Sequence, residues 1–137
     1  VLGPNRVAYL DLTGSGAETI AHLRENGRLT VMFCSFEDKP NIVRLYGTGH
    51  VVLPGQDEFD ELVGRFPEHP GARAVITLDV TRVGSSCGYA VPFMELVAPR
   101  TRLDEWAAGR DEEALEAYRA EKNATSLDGL PALGDPA

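Results

Sequence analysis

The sequence has few of the residues that usually build metal centres or disulfide frameworks. Its 137 residues include two cysteines and three histidines, and none of them stands at the short spacing of a zinc-binding motif. Cys34 and Cys87 allow one disulfide, which does not indicate the disulfide-rich scaffold of a small secreted domain. We therefore expect no metal site and a reducing, cytoplasmic location.

Long apolar runs and clusters of basic residues are also missing. No apolar stretch approaches the ~20 residues of a membrane-spanning helix, and no signal-peptide pattern is visible. The 13 Lys and Arg residues are outnumbered by 21 Asp and Glu residues, which gives a net charge of −8. Because binding to nucleic-acid phosphates needs clustered positive charge, the composition argues against a nucleic-acid or membrane partner.

The opening stretch, residues 6–36, has the pattern of a strand, a glycine-rich loop, a short helix and a second strand. Ser15 and Glu18 have the spacing of a capping box, so we predict that Ser15 is the helix N-cap. Gly27 follows the last helical residues and is predicted to end the helix. The second strand, residues 28–36, is apolar on both faces, which is typical of a strand in the centre of a sheet or in a barrel wall.

The rest of the chain has the pattern of long strands joined by turns, with small helices. We predict a strand at residues 42–53, a helix at 57–66, a second strand at 72–83 and a loop at 84–92. Two acidic helical segments follow at residues 103–107 and 111–122, and an irregular tail at 123–137. A doubly wound dinucleotide-binding fold needs repeated helical crossovers between its strands, which this chain does not supply. The pattern favours a mainly β fold of the α+β type, an antiparallel barrel with small flanking helices.

A single domain is predicted for residues 1–137, in which residues 100–137 form a helical and irregular C-terminal extension. Residues 3–5 are Gly-Pro-Asn, a turn that normally joins two strands, yet only one predicted strand lies beside it. We therefore expect that one or more strands of the domain lie upstream of Val1.

Three features are candidates for chemistry. Gly14-Ser15-Gly16, ahead of a helix, either offers N–H groups and the helix dipole to a phosphate or is a tight turn before a capped helix. Arg44, in the middle of a strand, either lies on a solvated face or points at an anion or carbonyl group. Cys87 lies in a loop of small residues and is either a nucleophile or an inert thiol, because no histidine stands near it in the sequence.

Three segments together resemble a known family. The successions RVAYLDLTGSGAETIAHLRENGRLTVMF, IVRLYGTGHVVL and SCGYAVP are similar to the flavin-binding split-barrel family related to pyridoxamine 5'-phosphate oxidase, in particular a bacterial subfamily, over about residues 1–97. The resemblance implies a six-stranded antiparallel split barrel of Greek-key topology, a homodimer with two FMN sites at the subunit interface, and a flavin-dependent oxidoreductase. Relatives of this barrel hold heme or a deazaflavin, so a non-catalytic heme- or deazaflavin-binding protein is the alternative.

The resemblance also implies where the cofactor would lie. The glycine loop and helix start would contact the FMN phosphate or ribityl chain, and the end of the second strand would pass the isoalloxazine ring. Further contacts would come from nearby strands or from the partner. The implied cofactor-binding residues are Thr13, Gly14, Ser15, Glu18, Thr19, Phe33, Cys34, Ser35, Arg44, Cys87 and Tyr89. No catalytic residue is implied.

The helix start departs from the pattern of the family. The oxidases carry a Ser-Arg-Lys clamp for a phosphate at this position, where this chain has Ala17-Glu18-Thr19. A carboxylate in place of a guanidinium replaces attraction to a phosphate with repulsion. The departure argues against oxidation of pyridoxamine 5'-phosphate and leaves FMN binding to be tested.

Overall fold

A computed structural model describes residues 1–134 of the chain, which contain four strands and four helices. In chain order these are β1 (Arg6–Leu12), α1 (Glu18–Asn26), β2 (Arg28–Cys34), β3 (Ile42–Val52), α2 (Phe59–Val63), β4 (Ala72–Ser86), α3 (Arg102–Ala108) and α4 (Glu112–Lys122). The apolar alternation that predicted each strand is therefore matched by a strand, and β4 is longer than predicted. None of these helices is long and apolar enough to cross a lipid bilayer.

The four strands form one antiparallel sheet in the order β1-β4-β3-β2. Three consecutive strands, β2, β3 and β4, pair in sequence, and β1 returns beside β4, which is a Greek-key order. The predicted antiparallel Greek-key fold of the split-barrel type is confirmed. The resemblance implies six strands, whereas residues 1–134 supply four and leave the sheet open at β1 and β2.

Of the two positions predicted for β2, the centre of a sheet is wrong for the described residues, whereas a place in the wall of a split barrel agrees with the fold. This strand pairs with β3 on one side and is an edge of the sheet. Its last apolar residues are exposed as a result, Met32 by 55% and Phe33 by 57%. In the described residues β2 is therefore an edge strand, although both of its faces are apolar.

Helices cover the two faces of the sheet near the start of β4. Ile20 and Leu23 of α1 pack with Ile76 in one buried cluster, and Leu62 of α2 packs with Val75 in another. Because neighbouring residues of a strand point to opposite faces, α1 and α2 lie on opposite sides of the sheet. Neither cluster reaches the other end of the sheet, where β2 ends, β3 begins and β4 ends.

Glycines shape two elements near this core. Gly27 ends α1 with φ of 69°, and its N–H donates to the carbonyl of Leu23 at 2.9 Å, as predicted. The pairing of β3 with β4 shifts register after Tyr46, and a Cβ at Gly47 would lie 1.9 Å from the carbonyl oxygen of Asp79. A bulge and a close backbone approach therefore explain why a glycine stands inside this strand.

Two local predictions are corrected by the structure. The residue before α1 is Ala17, and no side chain caps this helix, so Ser15 is not its N-cap. The tail after α4 is irregular, as predicted, except for an isolated bridge between Thr125 and Pro131. Residues 135–137 of the predicted extension lie outside the described residues.

Candidate functional site

A buried arginine forms hydrogen bonds with the glycine loop, Gly14-Ser15-Gly16, that follows β1. Arg73, on β4, is only 6% exposed and forms an ion pair with Asp11 at 2.6 Å. Its NH2 group donates to the carbonyl of Gly16 at 2.8 Å, and its NH1 group donates to the Oδ1 atom of Asn123 at 2.8 Å. The Nδ2 group of Asn123 donates in turn to the carbonyl of Gly14 at 2.8 Å. The loop carbonyls are thus bonded to the protein interior.

A second arginine ties the C-terminal helix to the same loop. The buried hydroxyl of Thr13 donates to the carbonyl of Gly71 at 2.9 Å and accepts from Nε of Arg119, on α4, at 2.9 Å. Sequence analysis did not identify Arg73, Arg119 or Asn123 as parts of this region. The signal for Arg73 was present, because a charged residue at the start of an apolar strand needs a buried partner.

The N–H groups of the glycine loop lie beside a cleft. Among residues 1–134, the backbone N–H groups of Gly14, Ser15 and Gly16 have no hydrogen-bond acceptor. A cleft of about 390 Å³ opens beside them, and it is lined by Thr13, Gly14, Ser15, Arg102, Leu103, Trp106 and Tyr118. Free N–H groups, a guanidinium and the start of a helix can together bind an anion.

Glu18 and Thr19, at the start of α1, do not line this cleft. Oε1 of Glu18 accepts a hydrogen bond from the N–H of Leu127 at 3.0 Å, so the carboxylate holds the tail. Thr19 lies beside Tyr9. Burial raises the pKa of Tyr9, the negative charge of Asp11 raises it further, and a hydrogen bond with Thr19 opposes both effects. The phenol of Tyr9 is therefore protonated at neutral pH.

The remaining predicted residues gather at the opposite end of the sheet. Cys34, Ile42 and Ser86 occupy one row across β2, β3 and β4. Arg44 lies two residue pairs further along β3, and its guanidinium donates from Nη1 to the hydroxyl of Ser86 at 3.1 Å. Arg44 is partly exposed and contacts a neighbouring strand through this bond, and its role toward a ligand stays a prediction.

The loops next to this row are held together by the backbone of Asn41. The N–H of Ser35 donates to the carbonyl of Asn41 at 2.9 Å. Gly88, with φ of 64°, approaches the same residue so closely that a Cβ would lie 2.8 Å from its nitrogen. Cys87 and Tyr89, which flank Gly88, are exposed. Within residues 1–134 no histidine is hydrogen-bonded to Cys87, and a role for its thiol as a nucleophile stays untested.

One face of this end of the sheet is apolar and uncovered. The strand register places Phe33 in a row with Val43, and Val31 in the next row with Leu45 and Val83, all on one face. Val83 is 63% exposed. The chain that follows β4 adds further exposed apolar side chains, namely Tyr89, Phe93, Met94, Leu96 and Val97. An exposed apolar area of this extent is typical of an interaction surface. We refer to Phe33, Val83 and these five residues as the apolar end.

The predicted residues therefore form two groups rather than one site. The N–H of Thr13 is bonded to the carbonyl of Gly71, immediately before β4, whereas Ser86 is the last residue of that strand. A strand of 15 residues extends over roughly 45 Å. The group at residues 13–19 and the group at the apolar end consequently lie far apart within one chain.

Comparison with known proteins gives two matches. A sequence profile of the family described as pyridoxamine 5'-phosphate oxidase matches residues 2–87. The chain is also similar to the pyridoxamine 5'-phosphate oxidase family protein ustO of Aspergillus flavus, with 45% identity over 150 residues. This alignment covers 97% of the chain and 59% of the relative, so the chain spans less than two thirds of the relative's length. The relative is fungal, so it lends no support to the predicted bacterial subfamily. No solved structure matches the chain.

Proposed function

Because the chain belongs to the pyridoxamine 5'-phosphate oxidase family, we propose that it binds FMN between two copies of itself and acts as a flavin-dependent oxidoreductase. The observation that carries this proposal is the separation of the two groups of candidate residues. One group suits a phosphate and the other suits a planar apolar ring, yet they lie at opposite ends of β4. A site built from both groups requires a second chain.

The loop at residues 13–19 fits the phosphate end of a flavin nucleotide. Within residues 1–134 the N–H groups of Gly14, Ser15 and Gly16 have no hydrogen-bond acceptor, and Arg102 lines the cleft that Gly14 and Ser15 also line. The repulsion expected from Glu18 is reduced because its carboxylate accepts a hydrogen bond from the tail. Backbone amides and one guanidinium thus take the place of the basic clamp of the oxidases.

The apolar end fits the ring of the cofactor. Phe33 and Val83 present exposed apolar side chains on one face, and the loop with Cys87 and Tyr89 lies beside them. A bound flavin would supply the hydride chemistry, while the protein would hold the ring and keep water from it. The residues of this end would therefore act by binding and orientation.

A homodimer would bring the two groups together. In a two-fold dimer every contact between the two chains occurs twice with the chains exchanged. If the glycine loop of the first chain approaches the apolar end of the second, the loop of the second chain approaches the apolar end of the first in the same way. The same contact would remove the exposed apolar side chains from water, which favours association. The assembly would contain two equivalent flavin sites.

The substrate class is narrowed by the helix start. Oxidation of pyridoxamine 5'-phosphate is disfavoured because the loop amides and Arg102 would already hold the FMN phosphate, and Ala17-Glu18-Thr19 provides no positive side chain for a second phosphate. We propose a small molecule other than this vitamin phosphate. A cytoplasmic location also stays a prediction.

Flavin is favoured over heme by the surroundings of the histidines. His22 lies 3.8 Å from Glu18 and 3.5 Å from Asp128, and His50 lies 3.2 Å from Asp79. These imidazoles are on charged, exposed surfaces and not at the apolar end. A heme ligand would be expected beside apolar side chains that cover the macrocycle. Deazaflavin, which shares the planar ring of a flavin, stays the alternative cofactor.

An absorption spectrum tests the proposal directly. The purified protein is mixed with FMN, passed through a gel-filtration column and scanned for flavin bands, with riboflavin in a parallel sample. We expect about one FMN per chain to be retained and riboflavin, which has no phosphate, to be lost. Loss of both flavins from a protein that circular dichroism shows to be folded would contradict FMN binding. Deazaflavin and heme would then be tested in the same way.

A further inference from the structure

Three side chains of the types that bind metal ions lie close together on the exposed side of α1. Glu18 and His22 are one helical turn apart and share a face, and Asp128 reaches them from the tail. Nε2 of His22 lies 3.8 Å from Oε2 of Glu18 and 3.5 Å from Oδ2 of Asp128. The ligand atoms of all three side chains lie within 4.8 Å of one another.

Both carboxylates are oriented by a hydrogen bond to their other oxygen. The N–H of Leu127 donates to Oε1 of Glu18 at 3.0 Å, and the hydroxyl of Ser126 donates to Oδ1 of Asp128. The Ser126 hydroxyl is itself fixed, because it accepts from the N–H of Leu130 at 2.9 Å. Oε2 and Oδ2 are left facing the imidazole. Outer hydrogen bonds of this kind orient the ligands of protein metal sites.

We propose that Glu18, His22 and Asp128 bind one divalent transition-metal ion, with Zn²⁺ as the best-suited candidate. A tetrahedral ion with bonds of about 2.1 Å separates its ligand atoms by roughly 3.4 Å, close to the two distances measured from Nε2. Imidazole nitrogen and carboxylate oxygen are both atoms that Zn²⁺ accepts as ligands, and three protein ligands leave the fourth tetrahedral position for water. An imidazole ligand also selects against Ca²⁺ and Mg²⁺, which prefer oxygen.

An ion at this position would fasten the tail to α1. The tail already contacts the helix, since Ala132 is buried in the same cluster as Ile20 and Arg24 donates to the carbonyl of Ala132. The ion would add a link at Asp128, four residues before Ala132 and next to the existing hydrogen bond between Leu127 and Glu18. No metal was predicted from the sequence, because the histidines and cysteines stand at no metal-ligand spacing. Asp128 comes near His22 only in the folded chain.

Isothermal titration of the chelator-treated protein with Zn²⁺ tests the site. Cys34 and Cys87 are both changed to serine in every sample, because free thiolates also bind zinc. We expect one Zn²⁺ per chain, and we expect His22→Gln and Asp128→Asn each to weaken binding at least tenfold. His50→Gln is the matched control, because His50 is also exposed and paired with a carboxylate at 3.2 Å. Its affinity for zinc should equal that of the parent.

Hydrogen exchange of residues 124–134 gives a second readout. Zn²⁺ should slow exchange in this segment in the parent and leave it unchanged in His22→Gln. The metal-free variants should melt at the temperature of the parent, because all three side chains are at least partly exposed. Absence of zinc binding, or equal affinity of His22→Gln and the parent, would overturn the site. Binding without slower exchange would overturn its role in holding the tail.

Discussion

Arg73 and Asp11 form an ion pair at 2.6 Å that joins two neighbouring strands beneath the glycine loop. Both side chains are largely withdrawn from water, and the arginine also bonds Gly16 and Asn123. A charge removed from water must be fully paired to be tolerated. The pair therefore holds the loop in one conformation and depends on the tail for its last partner.

Replacement of Arg73 by Met should destabilise the protein strongly. The carboxylate of Asp11 would stay buried without a partner, which costs about 3–5 kcal/mol. Urea unfolding measures the loss. The control is Arg65→Met, which breaks an exposed pair with Glu61 and should cost less than about 1 kcal/mol. Equal losses in the two variants would show that the buried pair has no special role.

Replacement of Gly47 by Ala should separate β3 from β4 at the bulge. Its Cβ would lie 1.9 Å from a backbone oxygen of Asp79, so a strand must move, and we expect a loss of at least about 3 kcal/mol. Gly14→Ala is the control, because nothing lies within 4 Å of its Cβ. This control should unfold within about 0.5 kcal/mol of the parent in the same urea experiment. A stable Gly47→Ala protein would contradict the observed close approach.

Helix capping gives a matched pair of serine and aspartate variants. Asp111 caps α4 and accepts from the N–H of Ala114 at 2.9 Å, so Asp111→Ala should cost about 1 kcal/mol. Ser15 caps no helix, so Ser15→Ala should leave thermal stability unchanged. A larger loss for Ser15→Ala than for Asp111→Ala would restore the capping box expected from the sequence.

That pair also illustrates which features the sequence could predict. The strands and Gly27 were predicted because apolar alternation and a helix-ending glycine depend on neighbouring residues. The capping box failed because the carboxylate of Glu18 bonds Leu127, a residue far along the chain. The serine and glutamate spacing alone gives no sign of that competing partner.

The candidate site was predicted only in part for the same reason. Gly14 and Ser15 were identified from a local pattern, and both line a cleft. Arg73, Asp11 and Asn123 meet only after β1, β4 and the end of α4 have come together. The edge position of β2 likewise depends on strand order, which apolar composition does not specify.

The proposed dimer predicts a selective effect of charge at the apolar end. Phe33→Asp should give a monomer in analytical ultracentrifugation and should lose FMN on gel filtration, because a buried unpaired carboxylate opposes association. Leu127→Asp is the control, since Leu127 is 98% exposed and lies on the tail. This control should dimerise and retain FMN. A dimeric Phe33→Asp protein would place the interface elsewhere.

Tyr9 should make stability decline at alkaline pH. Its pKa is raised in the folded protein above the ordinary value of 10.0, chiefly by burial, so the folded state holds the proton more tightly than the unfolded state. The contribution is complete below pH 10 and is lost as the pH rises through the folded pKa. Urea unfolding of Tyr9→Phe and the parent should differ by a constant amount near neutrality. Above pH 10 the parent should lose stability more steeply, and parallel curves would contradict this.

The Greek-key order also sets a sequence of events during synthesis on the ribosome. Among the described residues β1 pairs only with β4, where Leu12 lies opposite Ala72 and Arg6 lies opposite Asp79. The ribosome therefore synthesises β1 on the order of seconds before β4. In that interval β2 and β3 are able to form a local hairpin, whereas β1 must wait. Closure of β1 onto β4 brings together residues distant in the chain, so we expect it to be a slow, late step of folding. Before this closure Asp11 cannot form its ion pair with Arg73. We therefore expect the glycine loop to be ordered last.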